Sequence, residues 1–167
     1  IVATKNMLPK KFGKLPAGKR LERIQQSAHY KNGKFQNLSP RPIGGGYFLF
    51  SGIEGIFFGR SPQNTPAFPL PAVQPNLHAL PPQANVLFWF GHASYFIQVD
   101  GKRILVDPVF SGAASPIKAT TRSFKGTDVI DTAGIPQIDY LFITHDHWDH
   151  LDYETVVAIK SKVKKVI

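Results

Sequence analysis

The sequence has no cysteine, one methionine, and no uninterrupted apolar stretch near the roughly 20 residues that a membrane-spanning helix needs. The first absence removes disulfides, thiolate nucleophiles and every cysteine-based zinc site. Any metal must then be held by nitrogen and oxygen. Acidic residues are also scarce in one region. Residues 1 to 35 carry nine lysines and arginines against Glu22 alone, which places +8 of the chain's +9 in that segment. A solvated arm is the simplest reading of such a lead, and composition does not decide between it, an anionic membrane surface and nucleic acid. The first residue is Ile1 rather than methionine, so Ile1-Val2-Ala3 is read as the tail of a removed anchor or signal segment. The compartment stays open between a bacterial membrane surface, after loss of that anchor, and the cytoplasm.

With 167 residues the chain is long enough for one core of ordinary size, so a single domain with an extension is expected. Residues 1–83 hold most of the fourteen prolines, the triplet Gly44-Gly45-Gly46 and the run "PAFPLPAVQPNLHALPP". Proline at this density opposes helix interiors and central strands. This part reads as a basic, then Pro/Gly-rich, wrapping leader with one short helix around Leu21–Ser27. The cluster from Tyr47 to Phe58 is expected to be buried, because aromatic side chains seek burial.

From residue 84 the pattern changes. Val86–Phe90, Tyr95–Val99 and Arg103–Val106 are β-rich runs, and Asp100-Gly101 between the last two signals a two-residue hairpin. Three antiparallel strands are expected there, then a loop region over 111–137, then a buried strand over 138–144. Asp152 is expected to cap a helix whose apolar face carries Val156, Ile159 and Val163. The closing "KKVI" reads as a new strand, so residues 84–167 are expected to be the first half of a larger fold. Its remainder would lie in the same or a separate chain.

Half of the six histidines fall in "THDHWDH", residues 144–150. At an extended strand end, residues i and i+2 project the same way, so His145 and His147 can share one ion while Asp146 points elsewhere. Asp149 and His150 can reach a second ion as the chain turns into the helix. Zinc accepts both donor types, and manganese or iron stay open because such sites are weakly selective. The plain alternative, exposed polar residues on a loop, fits one His-x-His better than four ligand-type residues at this spacing.

The motif "HDHWDH", together with "WFGHASYFIQVDGKRILVDPVF" and "RLERIQQSAHYKNGKFQNLSP", resembles the metallo-β-lactamase superfamily. Within it, the sequence is similar to the branch containing N-acyl-phosphatidylethanolamine-hydrolysing phospholipase D and its bacterial relatives. The resemblance implies a mixed α/β (α+β) fold, the N-terminal half of an αββα sandwich. It implies two zinc ions, the first held by His145 and His147 and the second by Asp149 and His150, carrying a hydroxide that attacks a phosphodiester. It also gives Asp107 the role of orienting a ligand histidine and places His92 near the active centre. Asp146 could orient or accept a proton, though an exposed loop aspartate is the simpler reading. The family's later ligands have no counterpart here, so the 167 residues alone are expected to be inactive. A phospholipid or other small molecule is the expected substrate, with another ester or amide, such as a lactone, as competitor. An anionic membrane partner and an oligomer stay open. Nucleic acid is disfavoured, because acids dominate around residues 138–157.

Overall fold

The computed structural model describes residues 12–39, 65–116 and 121–167, and the chain divides into two units, Ile1–Asn64 and Thr65–Ile167. In the first unit, helix α1 spans Lys19–Gln25 and buries none of its residues. It is followed by a small hairpin of β1 (Tyr30–Lys31) and β2 (Lys34–Phe35). Asn32 and Gly33 turn that hairpin with φ of 55° and 77°, both in the left-handed region that a primed turn requires. The aromatic cluster from Tyr47 to Phe58 lies outside the described residues.

The second unit is built on one five-stranded sheet. Its strands are β3 (Val86–Gly91), β4 (Ser94–Val99), β5 (Lys102–Val106), β6 (Ile138–Phe142) and β7 (Val163–Val166), ordered as they occur in the chain. The first two pairings are antiparallel and the last two parallel. Asp100 and Gly101 turn β4 into β5 with φ of 47° and 71°, as the dipeptide foretells. Helix α2 (Tyr153–Ile159) joins β6 to β7, which is the crossover that a parallel pair needs. Phe96, Leu105, Ile138, Leu141 and Ile159 pack with Leu77 and Ile135 into the core.

The proline-rich stretch does not stop outside this unit. Residues 65–83 belong to it, and buried Gln98 ties them down. Its Nε2 donates to the carbonyls of Pro81 and Ala84 at 2.7 and 2.9 Å, while Arg103 Nε donates to its Oε1 at 2.9 Å. Backbone carbonyls outside regular ladders need such donors if they are not to be buried unpaired.

Two expectations are corrected. The strand expected to reach Thr144 ends at Phe142, because Thr144 N–H donates to the Asp107 carboxylate at 2.8 Å rather than to a neighbouring strand. The helix ends at Ile159, and Val163 opens β7 instead of extending the helical face. A 3-10 turn at Lys160–Lys162 makes the change of direction. There the Lys162 ammonium donates to the carbonyls of Thr132 and Ile135 at 2.8 Å each. The residues that α2 buries are Thr155 and Ile159, one turn apart.

The topology brings three separate segments to one sheet edge. Val106 and Phe142 lie side by side where parallel β5 and β6 end, and antiparallel β4 begins against the same place through Tyr95 and Val106. The turn before β4, the residue after β5 and the loop after β6 therefore meet.

Candidate metal centre

Each of those segments brings chemistry-bearing side chains: His92 from the first, Asp107 from the second, and residues 144–150 from the third. Asp107 is the buried one, 1% exposed, with φ of 40°. A left-handed non-glycine backbone must be held by its surroundings. Ser94 does so, its hydroxyl donating to the Asp107 carbonyl at 2.6 Å and accepting from Val109 N–H at 3.1 Å. The Asp107 carboxylate accepts three bonds. Thr144 N–H donates to Oδ1, and the Thr144 hydroxyl and His150 Nδ1 approach Oδ2 at 2.6 and 2.8 Å. Burial pushes this carboxyl up, but the hydrogen bonds from Thr144 and His150 outweigh it and hold it below the usual range.

A tight turn places His150. Its N–H and that of Leu151 both donate to the His147 carbonyl, at 3.0 and 2.8 Å. Below the turn, the Asp152 side chain accepts from Glu154 N–H at 3.1 Å, Thr155 Oγ1 at 2.6 Å and Ser111 N–H at 2.9 Å. The loop after β5 is thereby fastened to the start of α2.

Since the Asp107 carboxylate only accepts, His150 Nδ1 must carry the proton, and a neutral His150 presents a bare lone pair at Nε2. That lone pair faces Asp149 Oδ2 at 3.6 Å. Two electron-pair donors in this arrangement call for a positive charge between them. His92 Nε2 lies 2.9 Å from the same Asp149 oxygen, and its ring stands edge-on to that of His150, with centroids 5.2 Å apart. Ligand atoms of His92, Asp149 and His150 all fall within 4.8 Å of one another. Burial raises the Asp149 carboxyl, but its own backbone N–H, the nearby His150 and the His92 bond together hold it below the ordinary range. His145 adjoins this trio, its ring 3.9 Å from that of His150 and 4.5 Å from that of His147.

The residues singled out by sequence are thus found as follows. His92, Asp149 and His150 form one tight group, and Asp107 braces it from beneath. His145 and His147 adjoin each other on the exposed side, on a loop rather than on the extended strand end expected for them. Asp146 is exposed. Thr144 and Ser94 were not singled out. Adjacency to the histidine motif pointed to Thr144, but its partner Asp107 is 37 residues away in sequence. The donor set of imidazole nitrogen and carboxylate oxygen fits a divalent cation such as zinc.

Residues 86–166 match a family model described as the beta-lactamase superfamily domain. An uncharacterised protein of Mycobacterium tuberculosis is 33% identical over 140 residues, covering 81% of this chain and 37% of that protein. The chain therefore spans well under half the length of that relative. A UPF0173 metal-dependent hydrolase of Caldivirga maquilingensis is 35% identical over 81 residues, 48% of this chain and 30% of the relative. An N-acyl-phosphatidylethanolamine-hydrolyzing phospholipase D of Caenorhabditis elegans is 30% identical over 73 residues, 44% of this chain and 20% of the relative. Among solved structures, the diiron β-hydroxylase CmlA of Streptomyces venezuelae aligns with a TM-score of 0.38 at 33% identity, over 52% of this chain and 15% of that one.

Proposed function

We propose, from the match of residues 86–166 to the beta-lactamase superfamily domain, that the full-length protein is a metal-dependent hydrolase acting on a phosphodiester of the phospholipid class. The observation that carries this reading is His150 Nε2 at 3.6 Å from the Asp149 carboxylate, with His92 Nε2 at 2.9 Å from the same oxygen. Asp149 and His150 would hold one cation, with His92 Nε2 bonded to the Asp149 carboxylate, and His145 and His147 a second. A divalent cation there, zinc in this reading, would supply a Lewis acid that lowers the pKa of its water toward about 7 and stabilises developing negative charge on oxygen. The chain's own residues orient the donors. Asp107 keeps the His150 proton on Nδ1, and His92 restrains the Asp149 carboxylate. The hydrolase class is supported by the similarity to the Caldivirga protein, and the phosphodiester by the similarity to the nematode phospholipase. The basic first unit suits an anionic headgroup region, which Lys19, Arg20 and Arg23 on α1 would meet.

Hydrolysis of bis(p-nitrophenyl) phosphate by the full-length protein tests the reading. Activity is expected to vanish with chelator, to return with Zn2+, and to be lost in Asp149→Ala and in the double variant His145→Ala/His147→Ala. Hydrolysis of p-nitrophenyl butyrate or a lactone in its place moves the substrate class to carboxylic esters. Equal phosphodiesterase rates with and without the substitutions overturn the site.

A further inference from the structure

The hydrogen bonds around Asp107 reach beyond His150. Resting on the assignment of this cluster to metal binding, we propose that Thr144 is a positioning residue that passes the hold of Asp107 on to His145. One buried carboxylate then fixes the proton of two ligand histidines, one in each half of the centre.

The assignment follows from counting protons. The Thr144 hydroxyl has one hydrogen, and the shortest contact it makes, 2.6 Å, is to Asp107 Oδ2. An ionised carboxylate cannot donate, so the hydrogen lies on that line and the threonine oxygen keeps only lone pairs for other neighbours. His145 Nδ1 sits 3.0 Å from the same oxygen. It must therefore be the donor, which in a neutral ring leaves Nε2 of His145 bare and free to take a cation. His150 stands in the same state by direct contact, its Nδ1 2.8 Å from Asp107 Oδ2. The threonine oxygen is farther from that nitrogen, at 3.4 Å, so His150 answers to the carboxylate and His145 to the hydroxyl.

The geometry also explains why the relay is rigid. Thr144 is gripped twice by one carboxylate, through its N–H at 2.8 Å and its hydroxyl, which fixes the side chain relative to its own backbone. Asp107 is gripped in turn by Ser94 at its carbonyl. Hydrogen bonds that orient ligand histidines characteristically change metal affinity without touching the ion. Affinity at the His145 half of the centre should therefore depend on a hydroxyl that binds no metal.

The test begins without metal. Long-range 1H–15N spectra of full-length protein labelled at histidine, taken chelator-treated at about pH 8.5 where ordinary imidazoles are neutral, report which nitrogen carries each proton. The wild type is expected to show His145 and His150 both as the Nδ1–H form. In Thr144→Val, His145 should become a mixture while His150 keeps its Nδ1 proton, and Thr144→Ser should restore His145. In Asp107→Asn both histidines should change. Zn2+ titration against a competing chelator should show weakening of about 10- to 100-fold in Thr144→Val and recovery in Thr144→Ser. A wild-type His145 protonated on Nε2, or a His145 unmoved in Thr144→Val, overturns the relay; the first needs no variant and so survives a variant that does not fold. Should the wild type bind no Zn2+ while His145 keeps its Nδ1 proton, the metal reading falls and the relay stands.

Discussion

At the scale of single residues, the centre is held together by hydroxyls rather than by its ligand-type groups alone. Ser94 is 3% exposed and satisfies two backbone groups around the left-handed Asp107. Ser94→Ala leaves the Asp107 carbonyl and Val109 N–H without that partner, and unsatisfied buried groups cost about 1–3 kcal/mol. A loss of unfolding free energy of that size, read as a lower urea midpoint, together with weaker Zn2+ binding, is the expected outcome. An unchanged midpoint would mean that the turn is held by something else. What could be read from the sequence at this scale was the chemistry of the ligand types: His145, His147, Asp149 and His150 stand out because four such residues fall within six positions. The bonds of Asp107 and Ser94 could not be read, since their partners lie 43 and 13 residues away and no local period connects them. His92 shows the same limit. Its bond to Asp149, 57 residues away, arises from the β3–β4 turn meeting the loop after β6 in space.

At the scale of elements, Asp139 fastens three strands at once. From β6 it accepts Arg103 N–H of β5 at 2.9 Å and the Lys164 ammonium of β7 at 2.8 Å. The Lys164 hydrogen bond, then the Arg103 N–H, hold its carboxyl below the usual value. A group whose folded pKa is lowered adds stability that is fully present above its unfolded pKa of about 3.9 and disappears as pH falls through the folded value. Asp139→Asn should accordingly cost about 0.5–1 kcal/mol at about pH 7, discounted for the exposed lysine, and less at about pH 3, below the unfolded pKa. Urea unfolding at the two pH values checks it, and a constant difference contradicts it. The β4–β5 hairpin offers a second check. Gly101 has φ of 71°, where an added Cβ is strained, so Gly101→Ala should cost about 1–2 kcal/mol. This hairpin was legible because Asp-Gly between β-branched runs is a local signal. The end of α2 was not. Val163 continues the helical spacing of Val156 and Ile159, and only the strand pairing of Ile138 with Val163 overrides that period.

At the scale of the whole molecule, one sheet edge concentrates what three distant segments carry, because β5 and β6 run parallel and β4 starts beside them. The sequence announced the strands but not that residues 65–83 share their unit, since proline content speaks of local conformation and not of where a segment docks. The basic first unit, if it meets anionic headgroups, should bind vesicles containing phosphatidylserine more tightly than neutral ones, with the difference shrinking as salt rises. Equal binding to both kinds of vesicle would remove that role. No helix among the described residues is long and apolar enough to cross a membrane. The central claim is tested most directly by titrating Zn2+ into the chelator-stripped full-length protein and into its His150→Ala and His29→Ala variants. The account predicts tight binding by the wild type, binding at least about tenfold weaker in His150→Ala, and no change in His29→Ala, whose histidine is not in the ligand cluster. Identical isotherms for the wild type and His150→Ala would contradict it.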